Sequence, residues 1–270
     1  MSGRVLTHAG TVARRPMRPP RDAGRREAGP GVVQLHGAVD AAACSAWSRI
    51  AERAIEDGLS GRIDAPEWSA ASTSVRLSAC RGLALANLLS RLWRGPLRRA
   101  SFDRLGPRAV CDLDQCWLRR RYPQAEARPG HPSHAWHQDG ALGIDFTAAG
   151  AMPGEPESRL LDVVTFWIPL APCGRDAPGL ELIATPPGKL LRPDELETAR
   201  LRETHAADAF VRPLMAAGDA LVFGGDVVHR THLAPSMTRA RTSLELRCFP
   251  GGSLPVRLAG DRWARLPALQ

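Results

Sequence analysis

The sequence predicts a mainly β fold with flanking helices. Three observations carry this. Strand-length tracts of apolar or alternating residues recur between residues 109 and 250, among them 160–170, 180–183 and 221–223. Two helical patterns precede them: the stripe Ala43, Trp47, Ile50, Ala54, and the run 83–93. No apolar run approaches the roughly 18 residues of a membrane span.

Taken in order, residues 1–30 are rich in Arg, Pro, Gly and Ala and are expected to be a disordered tail, with 31–270 as a single domain. Residues 32–35 read as a short strand. Asp40 is placed to cap a helix running to about Glu56, which Gly58 and Gly61 would end. Residues 61–80 are polar and turn-rich, with no clear element. The helix at 83–93 should close at Gly95-Pro96. Residues 109–122 alternate as one strand, which puts Asp112, Asp114, Cys116 and Leu118 on one face. Leu113, Gln115, Trp117 and Arg119 take the other. Arg120 and Arg121 at its end suit a solvated edge. His131 and His134 fall in a Pro/Gly loop and are expected to be bystanders. Glu181 interrupts an apolar tract; a pocket carboxylate and an outward-facing one both remain open. Pro193-Asp194-Glu195-Leu196 should start a short surface helix, and the chain loses pattern after Pro250.

The chemistry concentrates in two segments. The first is Trp136-His137-Gln138-Asp139-Gly140; the second runs from Gly225-Asp226-Val227-Val228-His229 to Arg241-Thr242-Ser243. Residues i and i+2 of a strand point to one side, so His137 and Asp139 can face one metal while Gln138 turns away. Two imidazoles and a carboxylate can hold one face of an Fe(II) ion and leave positions open. His229 and His232 compete as the third ligand; strand 221–223 leading toward it favours His229. Arg241, Ser243 and Glu245 alternate against Thr242, Leu244 and Leu246, giving a last strand with a polar inner face. Arg241 and Ser243 together can bind the remote carboxylate of a dicarboxylic cosubstrate.

These segments, with Thr165-Phe166-Trp167-Ile168-Pro169-Leu170 and Gly218-Asp219-Ala220-Leu221-Val222-Phe223, resemble the phytanoyl-CoA dioxygenase family of Fe(II)/2-oxoglutarate oxygenases, from about Val32 to Pro250. The resemblance implies a double-stranded β-helix, a jelly-roll, cupin-like core. It implies His137, Asp139 and His229 as iron ligands and Arg241 as the partner of 2-oxoglutarate. It puts Thr231, Trp167 and Gln115 near that cosubstrate, and Trp117 and Arg119 in the substrate pocket, where Glu181 is a further candidate. O₂ is then the second cosubstrate. The implied reaction hydroxylates an unactivated C–H bond of a small molecule (a secondary metabolite, an amino acid or another small carboxylic acid) with release of succinate and CO₂. Related halogenases lack the carboxylate ligand, so Asp139 disfavours halogenation. Arg241-x₅-Arg247 is also similar to the Arg-x₅-Arg of AlkB-type nucleic-acid demethylases, although the interval from His229 is short for them. A cupin-type metal enzyme without 2-oxoglutarate would have no use for Arg241 and Ser243.

Composition sets outer limits. The net charge of +8 comes mostly from the first 30 residues, where seven arginines face Asp22 and Glu27. The rest is mildly basic and has no aromatic-interleaved basic stretch, which disfavours a nucleic-acid partner. None of the six cysteines forms a Cys-x-x-Cys pair, and Cys111 and Cys116 have opposite parity and should point apart. Free thiols, no apolar leader and no membrane span suit a cytoplasmic enzyme.

Overall fold

A computed structural model describes residues 25–29, 31–63, 67–69, 72–80, 83–93, 95–126, 135–142 and 159–251. The loop containing His131 and His134, residues 1–24 and the tail after Gly251 lie outside these. The elements in chain order are β1 (Arg25–Gly29), β2 (Val32–Leu35), α1 (Ala41–Leu59), β3 (Glu67–Ser69), β4 (Ser72–Arg76), α2 (Leu83–Leu92), α3 (Pro96–Leu105), β5 (Val110–Cys111) and β6 (Trp117–Arg121). There follow β7 (His137–Gln138), β8 (Val164–Pro169), β9 (Gly179–Ile183), α4 (Thr198–Thr204), β10 (Phe210–Val211), β11 (Ala220–Gly224), β12 (Val228–His232) and β13 (Arg241–Phe249).

The strands form two antiparallel sheets. The larger runs β1-β2-β11-β8-β13-β6-β4-β3, with β5 also paired to β13; the smaller runs β10-β9-β12-β7. Within them, β6-β13-β8-β11 and β7-β12-β9-β10 make the eight core strands of a double-stranded β-helix. Parity sorts the residues. On β13, Leu244, Leu246 and Cys248 join the cluster that includes Trp47, Leu89 and Leu97 of the helices. Trp167, Leu221 and Phe223 of the large sheet meet Leu180 and Leu182 of the small one in a second cluster between the sheets. Burial of these apolar side chains is the main stabilising contribution.

The Asp40 cap forms, with Oδ1 accepting from the Ala43 amide at 2.7 Å. α1 runs through Gly58 to Leu59, past the expected end. Gly95-Pro96 does not simply stop the second helix. Pro96 takes the first position of α3, where its missing N–H costs nothing and its fixed φ suits the helix. The polar stretch 61–80 holds the β3–β4 hairpin, whose β4 covers the edge of β6. Arg121 is therefore interior and fully buried, not on a solvated edge. Residues 25–29, expected in the tail, pair with β2. Helix α4 starts at Thr198, beyond the expected 193–196 start, which forms turns.

The expected single strand 109–122 is broken. Asp112 turns the chain by accepting the Asp114 amide on Oδ1 at 2.9 Å, and Gln115 sits in that turn. Parity does not carry across a turn, so Cys111 and Cys116 meet, with Sγ atoms 3.1 Å apart.

Glu181 faces away from the cavity between the sheets, and its carboxylate is 3 % exposed. It receives Arg212 at 2.6 Å and Arg230 at 2.7 Å. Arg230 also stacks on Trp136 at 4.3 Å. Burial pushes the Glu181 carboxyl up, but bonds from Arg230 and Arg212 outweigh it and hold the group below its usual 4.5. A depressed folded-state value gives stability above the unfolded value that is lost as pH falls. The stability advantage of the wild type over Glu181→Gln should therefore shrink as pH drops below about 4.5, read as denaturation midpoints across that range. An advantage independent of pH would exclude this role.

Candidate metal centre and cosubstrate pocket

The site begins with one register. β12 pairs with β7 so that His229 stands directly opposite His137. Direct cross-strand partners have Cβ atoms about 5 Å apart, and the two imidazole centroids lie 4.2 Å from one another. Asp139 follows His137 by two residues at the start of a 3₁₀ turn and is 1 % exposed. The turn packs tightly: Gly140 donates to the Gly225 carbonyl at 2.8 Å, and a Cβ on Gly140 would collide with the Leu160 side chain. One ligand atom each from His137, Asp139 and His229 all lie within 4.8 Å of one another.

The surroundings orient these donors. Nδ1 of His137 lies 2.9 Å from the Ala135 carbonyl and Nδ1 of His229 lies 3.0 Å from the Val227 carbonyl. A carbonyl only accepts, so each Nδ1 carries the proton and each Nε2 keeps its lone pair for a metal. Gln138 faces away, donating to the carbonyls of Lys189 and Asp226 and accepting from the Leu191 amide. Asp139 accepts from Arg247 Nη2 at 2.8 Å and from the Thr165 hydroxyl. Burial pushes the Asp139 carboxyl up, but Arg247 and then His229 hold it well below the usual carboxylate range. The carboxylate is thus anionic and aimed, as a metal ligand must be. Two imidazoles and a carboxylate on one side, with the rest open, fit iron.

A cavity of about 390 Å³, including some open solvent, adjoins this triad. Arg241, Trp167 and Thr231 line it, with apolar wall from Leu180 and Phe223. The Arg241 guanidinium lies over Trp167 at 4.7 Å, and its Nε donates to the Pro178 carbonyl at 3.1 Å. Burial lowers the Arg241 pKa to about 10, so it stays cationic at neutral pH. Ser243 does not line the cavity; its fully buried hydroxyl accepts from Arg241 and donates to Glu245 at 3.2 Å. Arg119 does line it and pairs with Glu245 at 3.2 Å. Gln115 and Trp117 stand outside the lining. The Gln115 carbonyl holds Arg247, because the turn at 112–115 removes it from the expected face. Trp117 shares that face but takes Arg76 on its ring at 5.1 Å. His232, with the parity of Arg230, points away and is not part of the triad. Thr165, Glu245 and Arg247 were not singled out as site residues; continuing the odd-numbered face of β13 from Arg241 reaches the last two.

Residues 29–239 match the phytanoyl-CoA dioxygenase (PhyH) family. The chain belongs to it. The family makes iron and 2-oxoglutarate its cofactor and cosubstrate, in keeping with the His-Asp-His set. No curated protein matches the chain in sequence. Crystal structures resemble it in fold. The 2-oxoglutarate-dependent epimerase SnoN of nogalamycin biosynthesis is 18 % identical, with 89 % of this chain and 93 % of that one covered and a TM-score of 0.59. The carbocyclase SnoK of the same biosynthesis gives 14 %, 82 %, 83 % and 0.53. HygX of Streptomyces hygroscopicus, with nickel, 2-oxoglutarate and hygromycin B bound, gives 12 %, 87 %, 92 % and 0.55.

Arg247 leads to a prediction. Partners that orient a metal's ligands are typically worth 10- to 100-fold in affinity. Arg247→Leu should weaken anaerobic Fe(II) binding by about that factor, while Arg230→Leu, on the outer side of β12, should leave it unchanged. Equal Fe(II) affinity in wild type and Arg247→Leu, by calorimetry, would refute the role.

Proposed function

We propose that the protein is an Fe(II)/2-oxoglutarate-dependent hydroxylase of a small molecule, with His137, Asp139 and His229 as iron ligands. The observation that carries this reading is the triad beside a cavity with a cationic anchor, Arg241, in its wall. When bound, iron with O₂ and 2-oxoglutarate supplies the oxidising power; 2-oxoglutarate leaves as succinate and CO₂. The chain's residues bind, orient and exclude water. Arg241, stacked on Trp167 and braced by Ser243, fixes the far carboxylate of the cosubstrate. Thr231 offers a hydroxyl in the same wall. Leu180, Phe223 and Trp167 keep the reacting end apolar. Arg119 is the residue proposed to meet an acid group of the substrate.

Hydroxylation is proposed over epimerisation for a chemical reason. Epimerisation by C–H cleavage needs a hydrogen donor on the opposite side of the carbon, and a thiol or phenol is the usual protein donor. None of the six cysteines lines the cavity. The single tyrosine, Tyr122, is hydrogen-bonded to Thr73 and does not line it either. Small-molecule substrates are favoured over nucleic acid by the modest charge outside the first 30 residues.

The test is a substrate screen of the Fe(II)-loaded enzyme with 2-oxoglutarate and O₂, read as succinate and product mass. A true substrate should raise succinate release and gain one oxygen atom. His229→Ala should abolish both. A product of unchanged mass would reject hydroxylation; turnover that ignores 2-oxoglutarate would reject the class.

A further inference from the structure

The inner face of the large sheet carries more cations than its carboxylates balance. β6 lies between β4 and β13, and its alternate residues Trp117, Arg119 and Arg121 face inward. The register sets Arg121 directly beside Arg241 on one side and Ser72 on the other. Arg121 is fully buried, and none of its three guanidinium nitrogens has a hydrogen-bond partner among the described residues. Burial first, then the Arg241 charge, lowers its pKa to about 10, so it remains a cation at neutral pH. Arg119 and Arg247 already have Glu245 and Asp139. Arg241 has a carbonyl and a hydroxyl but no carboxylate. Glu245 lies near both but pairs with Arg119, and two neighbouring buried guanidinia with no carboxylate in contact are costly unless a ligand supplies one. Arg121 does not itself line the cavity; its charge reaches a carboxylate bound there from beside Arg241, which does.

We propose that Arg121 is a second cationic anchor for the far carboxylate of 2-oxoglutarate and selects 2-oxo dicarboxylates over 2-oxo monocarboxylates. This rests on the reading of Arg241 as the first anchor. Arg121 is a positioning and specificity residue; it has no part in the oxidation itself.

The test uses full-length protein loaded anaerobically with Fe(II), and two probes, 2-oxoglutarate and 2-oxopentanoate, which differ in the far carboxylate. Binding is measured by calorimetry for wild type, Arg121→Met, Arg121→Lys and Arg241→Met. Arg121→Met should bind 2-oxoglutarate roughly 10- to 100-fold more weakly, the scale of one unit charge acting over several ångströms in a partly screened interior. It should bind 2-oxopentanoate as wild type does, which also reports an intact site. Arg121→Lys should recover part of the loss. Because an unpaired buried charge is removed, ligand-free Arg121→Met should melt above ligand-free wild type. Wild-type affinity for 2-oxoglutarate in Arg121→Met, with affinity lost in Arg241→Met, overturns the second anchor and leaves the pocket reading standing. Unchanged affinity in Arg241→Met, or no binding by wild type, overturns both.

Discussion

The Asp139–Arg247 ion pair ties the two sheets together at the proposed metal site. Arg247 is the seventh residue of β13 in the large sheet; Asp139 directly follows β7 in the small one. A carboxylate this deeply buried has to be paired or it protonates. Arg247 keeps it charged, and the Thr165 hydroxyl from β8 fixes its remaining direction. Arg247 is in turn held by the Gln115 carbonyl, so the turn at 112–115 acts on the Asp139 carboxylate from a distance. Removing either partner leaves a lone charge in the interior, which costs far more than the pair contributes.

The rest of the site follows from strand parity. Arg241, Glu245 and Arg247 of β13 line the cavity, while Leu244, Leu246 and Cys248 pack with the helices. One face therefore carries Arg241, Ser243, Glu245 and Arg247, while the other is Leu244, Leu246 and Cys248. Such a polar interior face destabilises the fold unless ions and ligands complete it. That is the usual relation between a binding site and the scaffold that tolerates it. Helices α1 to α3 offset the cost by burying the opposite face of the same sheet.

Much of this was legible in the sequence because the signals are local. His137 and Asp139 are two residues apart, and Arg241 and Ser243 likewise, so strand parity alone puts each pair on one side. The Asp40 cap and the stripe through Trp47 are equally short-range. What failed depended on a turn or on distant pairing. The Asp112 turn reset the parity that should have separated Cys111 from Cys116 and put Gln115 in the pocket. The polar β3–β4 hairpin has no apolar alternation to announce it, yet it turns Arg121 from an edge residue into a buried one. Glu181 could not be assigned a side until Arg212 and Arg230 were beside it. The family match then gives the class of chemistry, and the cavity wall of this chain carries both acidic and basic residues.

The central claim is that His137, Asp139 and His229 hold Fe(II) while Arg241 holds 2-oxoglutarate beside it. The most direct measurement is an anaerobic titration of metal-free protein with Fe(II) and then 2-oxoglutarate, following the weak visible charge-transfer band of the chelate. The account predicts a band in wild type that weakens in both Asp139→Ala and Arg241→Ala. Iron binding without any band, or a band unaltered by both substitutions, would contradict it.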